Sequence, residues 1–228
     1  LVRARPSSFA RRGRRCIRDG AGERGGFGGG GVEVQSVMTE LGRGLCLEPY
    51  VQSIILGGGL IGQAGNDSQK DTWLAGIASG ELKAAAALQE PQSFYDLNDV
   101  ETRAEKSGDG YQLNGRKAVV IGGHCADLIL VSARTSGDSR DAEGISLFAL
   151  NPEAAGVERR TYPTIAGAKG CALVPNNVTL GARPLLRDDG QARGVVHYTH
   201  ARDTAQLCIA TPTEEGAHHR TPPHTPHP

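Results

Sequence analysis

Two side chains stand where acid–base chemistry could occur, a carboxylate and an imidazole. Glu90 lies between an apolar run and Pro91, a position from which a carboxylate could act as a general base. His124 follows the Gly122–Gly123 pair and would titrate near neutral pH. We interpret Glu90 as a structural residue that supports a neighbouring site, and His124 as a strand cap or a solvent-facing residue. The glycine pair fits a bulge or turn as well as a phosphate-binding nest, so we assign no catalytic residue.

Cysteines and histidines are the other candidates for nucleophilic or metal chemistry. The cysteines are isolated, without the close pairs of a zinc site or disulfide framework, which favours a reducing, cytoplasmic location; they are Cys16, Cys46, Cys125, Cys171 and Cys208. Six of the seven histidines follow Gln191. A metal site could be built from His197, His200, His218 and His219. Because no apolar frame accompanies them, we predict no metal.

Composition limits the possible partners of this 228-residue chain, whose formal net charge is zero. No apolar run approaches the ~20 residues that a membrane-spanning helix needs. The Arg-rich segment 1–24 could be a transit peptide or a nucleic-acid arm. It has no interleaved aromatic residues to stack bases, so we predict neither membrane nor nucleic acid as a partner. We expect disorder in 1–24 and in the His- and Pro-rich segment 191–228.

Helical periodicity fills the first part of the chain between these flanks. Apolar residues from Val34 to Leu45 recur at helical spacing, and the helix should end before Pro49. A second helix should run from Tyr50 to Gln63, although its triple glycine is tolerable only if it packs closely on a neighbour. A third should begin with Asp67 or Ser68 as N-cap and end at Gly80.

After Gly80 the pattern changes to short β-rich runs between Gly, Pro, Asp and Asn residues. The SGDG sequence should turn one strand into the next, and Asn114–Gly115 predicts a second hairpin. Helices followed by strands predict an α+β fold, in which a short helical segment precedes an antiparallel β-sandwich or barrel. The predicted strands are 83–88, 99–104, 111–113, 116–121, 128–134, 145–150, 157–161 and 172–180.

The sequence motifs in these runs, and their order along the chain, resemble those of the acyl-CoA dehydrogenase family. The resemblance is carried by GGFGGGGVEVQSVMTELGRGLCLEPY, GNDSQKDTWLAGIASGELKAA, ELKAAAALQEP, DGYQLNGRKAVVIGG, ADLILVSAR and GISLFALNPEAAGVE. It implies that residues 25–80 are part of an N-terminal helical domain and that 81–190 are the middle β domain. The family continues into a C-terminal four-helix bundle that supplies the usual catalytic Glu. We expect this chain to be truncated before that bundle.

The resemblance also implies FAD as cofactor and names its contacts in the β domain. Family members end the flavin-binding strand in an aliphatic residue, Thr, Glu and Pro, where this chain has Leu88, Gln89, Glu90 and Pro91. Gln89 retains a hydrogen-bonding amide but is longer than Thr. The backbone around Leu88 should remain available to the flavin.

Further along, the departures from the family pattern are larger. The family's Gly-Ser-Asp is represented by Phe94, Tyr95 and Asp96, so a bulky phenol, Tyr95, stands at a substrate-contacting position. Val119 replaces the Trp that covers the flavin, and Ile121 replaces a hydroxyl residue. Together with the Gly122 backbone, these positions complete the predicted cofactor site, which consists of Leu88, Gln89, Val119, Ile121 and Gly122.

Two functions remain open at this point. The first is an acyl-CoA dehydrogenase-like flavoprotein subunit that takes part in α,β-dehydrogenation of an acyl-CoA. It would be inactive alone and would form a homo- or hetero-oligomer with another acyl-CoA dehydrogenase subunit. The alternative is a non-catalytic β-sandwich partner subunit that does not bind flavin, and loss of the Trp and hydroxyl positions favours it.

Overall fold

The computed structural model describes residues 31–199, apart from 45, 166, 182–183, 187–189 and 198. The predicted disordered segment 1–24 lies outside these residues, as do the cysteines Cys16 and Cys208 and the histidines beyond residue 199. Helices come first, as α1 (Gly31–Arg43), a π-helical segment (Val51–Gly57), α2 (Gly58–Ala64) and α3 (Asp67–Ser79). Among the described residues, none of the helices has the length and apolar character required to cross a membrane.

Close packing on the first strand explains the triple glycine in the second predicted helix. Tyr50 to Gln63 was predicted as one helix, and the chain instead forms a π-helical segment that continues into α2. A Cβ added at Gly57 would lie 2.6 Å from the Cβ of Ala84. Only glycine permits this approach between helix and strand.

The third helix is capped one residue earlier than predicted. Asn66 is its N-cap, and its side chain and that of Gln69 exchange hydrogen bonds with each other's backbone N–H, both at 2.9 Å. The predicted caps, Asp67 and Ser68, therefore lie inside the first turn, where an acidic residue suits the helix dipole. Gly80 ends the helix with φ +79°, as predicted.

Nine strands follow and form two sheets. Their bounds are β1 (Ala84–Ala87), β2 (Arg103–Ser107), β3 (Gly110–Asn114), β4 (Lys117–Ile121), β5 (Leu128–Arg134), β6 (Ile145–Leu150), β7 (Val157–Pro163), β8 (Lys169–Pro175) and β9 (Val178–Leu180). The larger sheet has the order β1-β5-β2-β3-β9, with β6 also paired to β5, and the smaller sheet has the order β4-β8-β7. The predicted α+β class is confirmed.

The larger sheet is mixed, whereas the sequence predicted antiparallel strands. β1 runs parallel to β5 over four residue pairs, and β2 meets β5 in parallel at a single pair, Arg103 with Arg134. The remaining pairs in both sheets are antiparallel. The parallel pairing arises because 40 residues separate the end of β1 from the start of β5, and alternation of side chains does not encode strand direction.

The predicted Asn114–Gly115 hairpin is wrong. β3, which ends at Asn114, pairs with β2 and β9, whereas β4 pairs with β8 in the other sheet. Gly115 thus carries the chain from one sheet to the other, with φ +154°. The SGDG turn does form a two-residue hairpin, since Ser107 lies opposite Gly110.

The core has two parts that lie on opposite faces of β5. Leu128 and Leu130 belong to the cluster that includes the helices, and Ile129 and Val131 belong to the cluster that includes the smaller sheet. Every residue of β5 is buried. The larger sheet is therefore the middle layer of the molecule, which requires apolar residues on both faces.

The chain remains ordered into the segment predicted as a disordered tail. Gln191 bridges Ile145, and Ala192, Val195 and Val196 are buried in the helical core cluster. The expectation of disorder from residue 191 is therefore wrong for 191–197. The short apolar signal of this segment was hidden by its polar and histidine-rich surroundings, and residues 201–228 lie outside the described part of the chain.

Gly115→Ala should lower the free energy of unfolding by about 2–4 kcal/mol, from backbone strain and steric overlap. The new Cβ would lie 2.5–2.7 Å from atoms of Thr102, at a φ that favours glycine. Gly181→Ala is the control, because a Cβ there meets no atom of the described residues within 4 Å. Urea denaturation of both variants measures the difference, and equal stability would contradict the crossover geometry.

Candidate functional site

The candidate site begins where the chain leaves β1 and meets β4. Gln89 and Val119 form an isolated antiparallel bridge, and the Ala118 N–H donates to the Gln89 carbonyl at 3.0 Å. Two of the predicted cofactor-binding residues are therefore cross-strand neighbours. Ile121 and Gly122 follow at the end of β4, and Leu88 precedes the bridge.

A buried ion pair fixes this junction. The Lys117 Nζ lies 2.6 Å from the Glu90 Oε1, and their side chains are 0% and 2% exposed. Lys117 also donates to the Ser132 Oγ at 3.0 Å. The Glu90 carboxylate accepts the backbone N–H groups of Glu101 at 2.8 Å and Thr102 at 3.1 Å. These contacts agree with the structural interpretation of Glu90.

Opposing effects set the protonation of this pair. Burial by itself would raise the pKa of Glu90, but the Lys117 ammonium and the surrounding hydrogen-bond donors hold that pKa below its ordinary value. Burial lowers the pKa of Lys117, and the Glu90 carboxylate opposes that change. Because the carboxylate is fully engaged by Lys117 and backbone donors, it lacks the free acceptor that a general base needs.

Gln89 supplies the accessible polar group of the junction. Its side chain is half-buried, and its amide has no hydrogen-bond partner within the part of the chain that the structure describes. Beside it, Val119 exposes 40% of its surface. Ile121 is half-buried, while Leu88 is buried and its carbonyl accepts the Ser132 hydroxyl at 3.4 Å. A free amide next to an apolar surface can receive the polar edge and flat face of a heterocyclic ring.

Gly122 differs from its expected role. Its N–H donates to the Lys169 carbonyl at 3.1 Å, and its own carbonyl accepts the Cys125 N–H at 3.1 Å. The expectation that this backbone remains available is therefore wrong. Gly122 has φ +75°, and an added Cβ would lie 3.4 Å from the Cβ of Pro49. Its glycine is needed for the positive φ of the turn after β4, whereas the contact with Pro49 would be an ordinary van der Waals contact.

Tyr95 lies on an exposed turn after Glu90. Its side chain is 90% exposed and that of Phe94 is 79% exposed. Phe94 has φ +47°, in the left-handed region that favours glycine. This conformation agrees with the position's alignment to glycine in the family pattern.

His124 is half-buried three residues after the end of β4, so it does not fully face solvent. Burial lowers its pKa, and the nearby Lys169 ammonium and Arg159 guanidinium lower it further, while a backbone hydrogen bond at Lys169 acts in the opposite direction. Its Nδ1 has no partner in the described part of the chain. The imidazole is thus held neutral at neutral pH, away from the Glu90 carboxylate.

The predicted nucleophile and metal candidates do not form a further site among the described residues. Cys171 is fully buried, and burial raises the pKa of its thiol, so it packs as a small apolar residue. The His197 Nε2 lies 3.0 Å from the Asn98 Oδ1. Within residues 31–199, as far as they are described, no group of three potential metal ligands occurs.

The sequence did not predict the pairing of Lys117 with Glu90 or the conformation of Phe94. The pairing of Lys117 with Glu90 does leave a signal in the sequence, because Lys117 is the single charged residue of the apolar strand KAVVI. A buried lysine requires a buried acidic partner, and Glu90 follows β1 directly after the residue that bridges Val119 of β4. The φ of Phe94 leaves no signal in a single sequence.

Comparison with known protein families assigns the class of this molecule. The N-terminal domain model of acyl-CoA dehydrogenases matches residues 21–81, and the middle domain model matches residues 85–178. With the mixed sheet, the smaller second sheet and the Glu90–Lys117 junction in place, these matches define a flavoprotein dehydrogenase-type β domain joined to helices. The chain belongs to the acyl-CoA dehydrogenase family.

Individual relatives agree with this assignment. The chain is 33% identical over 148 residues to (2S)-methylsuccinyl-CoA dehydrogenase of Cereibacter sphaeroides, covering 62% of this chain and 26% of the relative. The acyl-CoA dehydrogenase structure from Geobacillus kaustophilus superposes with a TM-score of 0.80 at 25% identity, over 90% of this chain and 56% of that one. Butyryl-CoA dehydrogenase from Megasphaera elsdenii gives a TM-score of 0.82 at 22% identity, over 90% and 55%, and shares the fold. The chain thus spans from a quarter to a little over half of these relatives.

Glu90→Gln should lower the free energy of unfolding by about 3–5 kcal/mol, because it leaves the Lys117 ammonium buried without a counter-ion. The double variant Glu90→Gln/Lys117→Met should recover most of this loss, since it removes both charges. Urea denaturation followed by Trp73 fluorescence measures all three proteins. Glu158→Gln, at an exposed ion pair with Arg160, should leave stability nearly unchanged. A single variant as stable as the original chain would contradict the role of the pair.

The stabilisation from Glu90 should be lost in acid. Its folded-state pKa lies below its unfolded value of about 4.3, so the contribution is complete above that pH and disappears as the pH falls through the folded pKa. The stability of the original chain relative to Glu90→Gln/Lys117→Met should therefore decline as the pH falls below about 4. Denaturation at a series of pH values measures this difference, and a constant difference down to pH 2 would contradict the assignment.

Proposed function

We propose that this chain supplies the middle-domain wall of the FAD site in a flavin-dependent acyl-CoA dehydrogenase. The observation that carries the proposal is the Gln89–Val119 bridge, which places an amide without a partner among the described residues beside an accessible apolar side chain. Membership of the family supports the choice of FAD as the ligand. Among the solved structures that share this fold, a glutaryl-CoA dehydrogenase from Mycobacterium smegmatis is in complex with FADH2.

The side chains at the bridge fit a flavin in two ways. The Gln89 amide suits the polar edge of the ring, and the aliphatic side chains beside it suit its flat face. The Gln89 amide can both donate and accept, as the carbonyl and N–H groups of a flavin edge require. Val119 and Ile121 offer aliphatic surface for the ring. Leu88 would contribute packing, since it is buried, and Gly122 would act through the turn that it allows.

When bound, FAD supplies the two-electron acceptor for oxidation of the acyl group. The described residues would bind and orient that cofactor and would limit water at one of its faces. Glu90 would act only by holding Gln89 and Val119 together. We assign no proton transfer to the described residues, and the general base would come from elsewhere in the assembled protein.

The substrate and the assembly follow as parts of the same proposal. An acyl-CoA would be the substrate class, and Tyr95 would contact it; the exposure of the Tyr95 phenol supports this role. The remaining wall of the site would come from chain outside the described residues or from another acyl-CoA dehydrogenase subunit, in a homo- or hetero-oligomer.

A second candidate function is that of a partner subunit that holds no flavin. The specific observation in its favour is the engagement of both Gly122 backbone groups by Lys169 and Cys125, which removes a donor and an acceptor from the site. Val119 in place of Trp also removes an aromatic contact. Under this alternative, the β domain would serve only to bind another subunit.

Retention of FAD distinguishes the two functions. After the 228-residue chain is mixed with excess FAD and desalted, we expect an absorbance band at about 450 nm, which is typical of oxidised flavin. Gln89→Ala should weaken binding about 5–10-fold, the usual effect of one lost hydrogen bond. Gln35→Ala, the same change at an exposed position of α1, is the control.

A chain that stays colourless at every FAD concentration would contradict the flavin proposal and favour the partner subunit. In that case Val119→Trp tests the reason, because it restores the aromatic residue of the family pattern. Equal affinity of Gln89→Ala and the original chain would show that the bridge is not the flavin wall.

A further inference from the structure

Two aromatic side chains project from one turn beside the candidate site. Phe94 and Tyr95 are 79% and 90% exposed, the largest exposed aromatic pair among the described residues. They follow Gln89 by five and six positions along the chain. Exposed aromatic residues of this size in one place mark a binding surface more often than they mark packing.

The turn that carries them is firmly held. The Ser93 Oγ accepts the Glu90 N–H at 2.9 Å and donates to the Glu90 carbonyl at 3.1 Å. The Asp96 N–H donates to the Ser93 carbonyl at 2.7 Å. On the far side, the Arg134 guanidinium donates to the Asn98 carbonyl at 2.9 Å. Both ends of the aromatic turn are therefore tied to buried, charged residues of the β domain.

The backbone of Phe94 is strained. A bulky residue at φ +47° is less stable there than glycine, which has no Cβ to overlap with the backbone. The side chain does not recover this loss by burial in the described part of the chain, because most of it is exposed. Strain of this kind at an exposed aromatic residue points to a contact made with a ligand.

We propose that Phe94 and Tyr95 form a stacking surface for a planar heterocycle, and so provide the aromatic contact that Val119 does not. This inference rests on the proposed flavin function, which it deepens. The aromatic turn and the Gln89–Val119 bridge are both anchored by Glu90, the turn through its backbone and the bridge through its ion pair with Lys117. Heterocycles with delocalised rings stack on Phe and Tyr through their π faces.

Two ring systems have this chemistry in the proposed reaction. One is the isoalloxazine of the flavin, and the other is adenine, which occurs in FAD and in coenzyme A. Riboflavin carries the first ring without the second, and AMP carries the second without the first. Titration with each compound therefore identifies which ring the aromatic turn contacts.

The experiment is isothermal titration calorimetry of the 228-residue chain with riboflavin and with AMP. Phe94→Gly and Tyr95→Ala should each weaken binding of the contacted ring by about 5- to 100-fold, the usual range for loss of a stacking aromatic. Phe94→Gly should also raise the Tm or leave it unchanged, because glycine relieves the positive φ. Ile165→Ala, at another fully exposed apolar side chain, is the matched control and should bind as the original chain does.

The outcomes separate this inference from the function on which it rests. If Phe94→Gly and Tyr95→Ala bind as the original chain while Gln89→Ala binds more weakly, the stacking surface is wrong and the flavin wall stands. If the original chain binds neither riboflavin, AMP nor FAD, both proposals fail. If the two aromatic variants change only the elution volume in size-exclusion chromatography, the turn is a protein contact and the stacking proposal is overturned.

Discussion

The buried ion pair between Glu90 and Lys117 connects the segments from which the candidate site is made. Glu90 follows β1, Lys117 begins β4, and Ser132 on β5 accepts a second hydrogen bond from the ammonium. The backbone at 101–102 is tied to the same carboxylate. Two buried charges are costly unless they are paired and fully hydrogen-bonded. Here the two charges are paired, and each has further hydrogen-bond partners, so the pair favours one relative arrangement of these segments.

That arrangement determines what the site offers to a ligand. Gln89 and Val119 lie one residue before Glu90 and two after Lys117, so fixing the ion pair fixes their separation. The same carboxyl residue anchors the aromatic turn through its backbone. A change in the pair should therefore alter ligand binding without any direct contact with the ligand.

Much of the fold could be predicted from the sequence, because apolar spacing and turn residues encode local structure directly. The cap at Gly80 and the strands Leu128–Arg134 and Ile145–Leu150 have the predicted bounds. Strand direction and sheet membership could not be predicted in the same way, as the failed Asn114–Gly115 hairpin shows. That dipeptide favours positive φ, and such a conformation also serves a crossing between sheets.

The candidate site was predictable where the family pattern and chain order coincide, as at Gln89 and Val119. The availability of backbone groups at the site could not be predicted, because it depends on hydrogen bonds between segments that are distant in the sequence. The engagement of Gly122 by Lys169 depends on the pairing of β4 with β8, which no local motif encodes. The ordered structure of residues 191–197 was not predicted for a related reason. The Ala192 N–H donates a hydrogen bond to the carbonyl of Ile145, which is far away in the sequence.

Amide NMR of the isotopically labelled chain during titration with FAD would show directly whether flavin binds at the Gln89–Val119 bridge. We expect the strongest shift changes at Gln89 and Val119, with further changes at Tyr95. The amides of Glu101 and Thr102, which donate to the Glu90 carboxylate, should change little because the junction is already formed. Saturable changes confined to other surfaces, or no changes at all, would contradict the placement of the flavin wall at this junction.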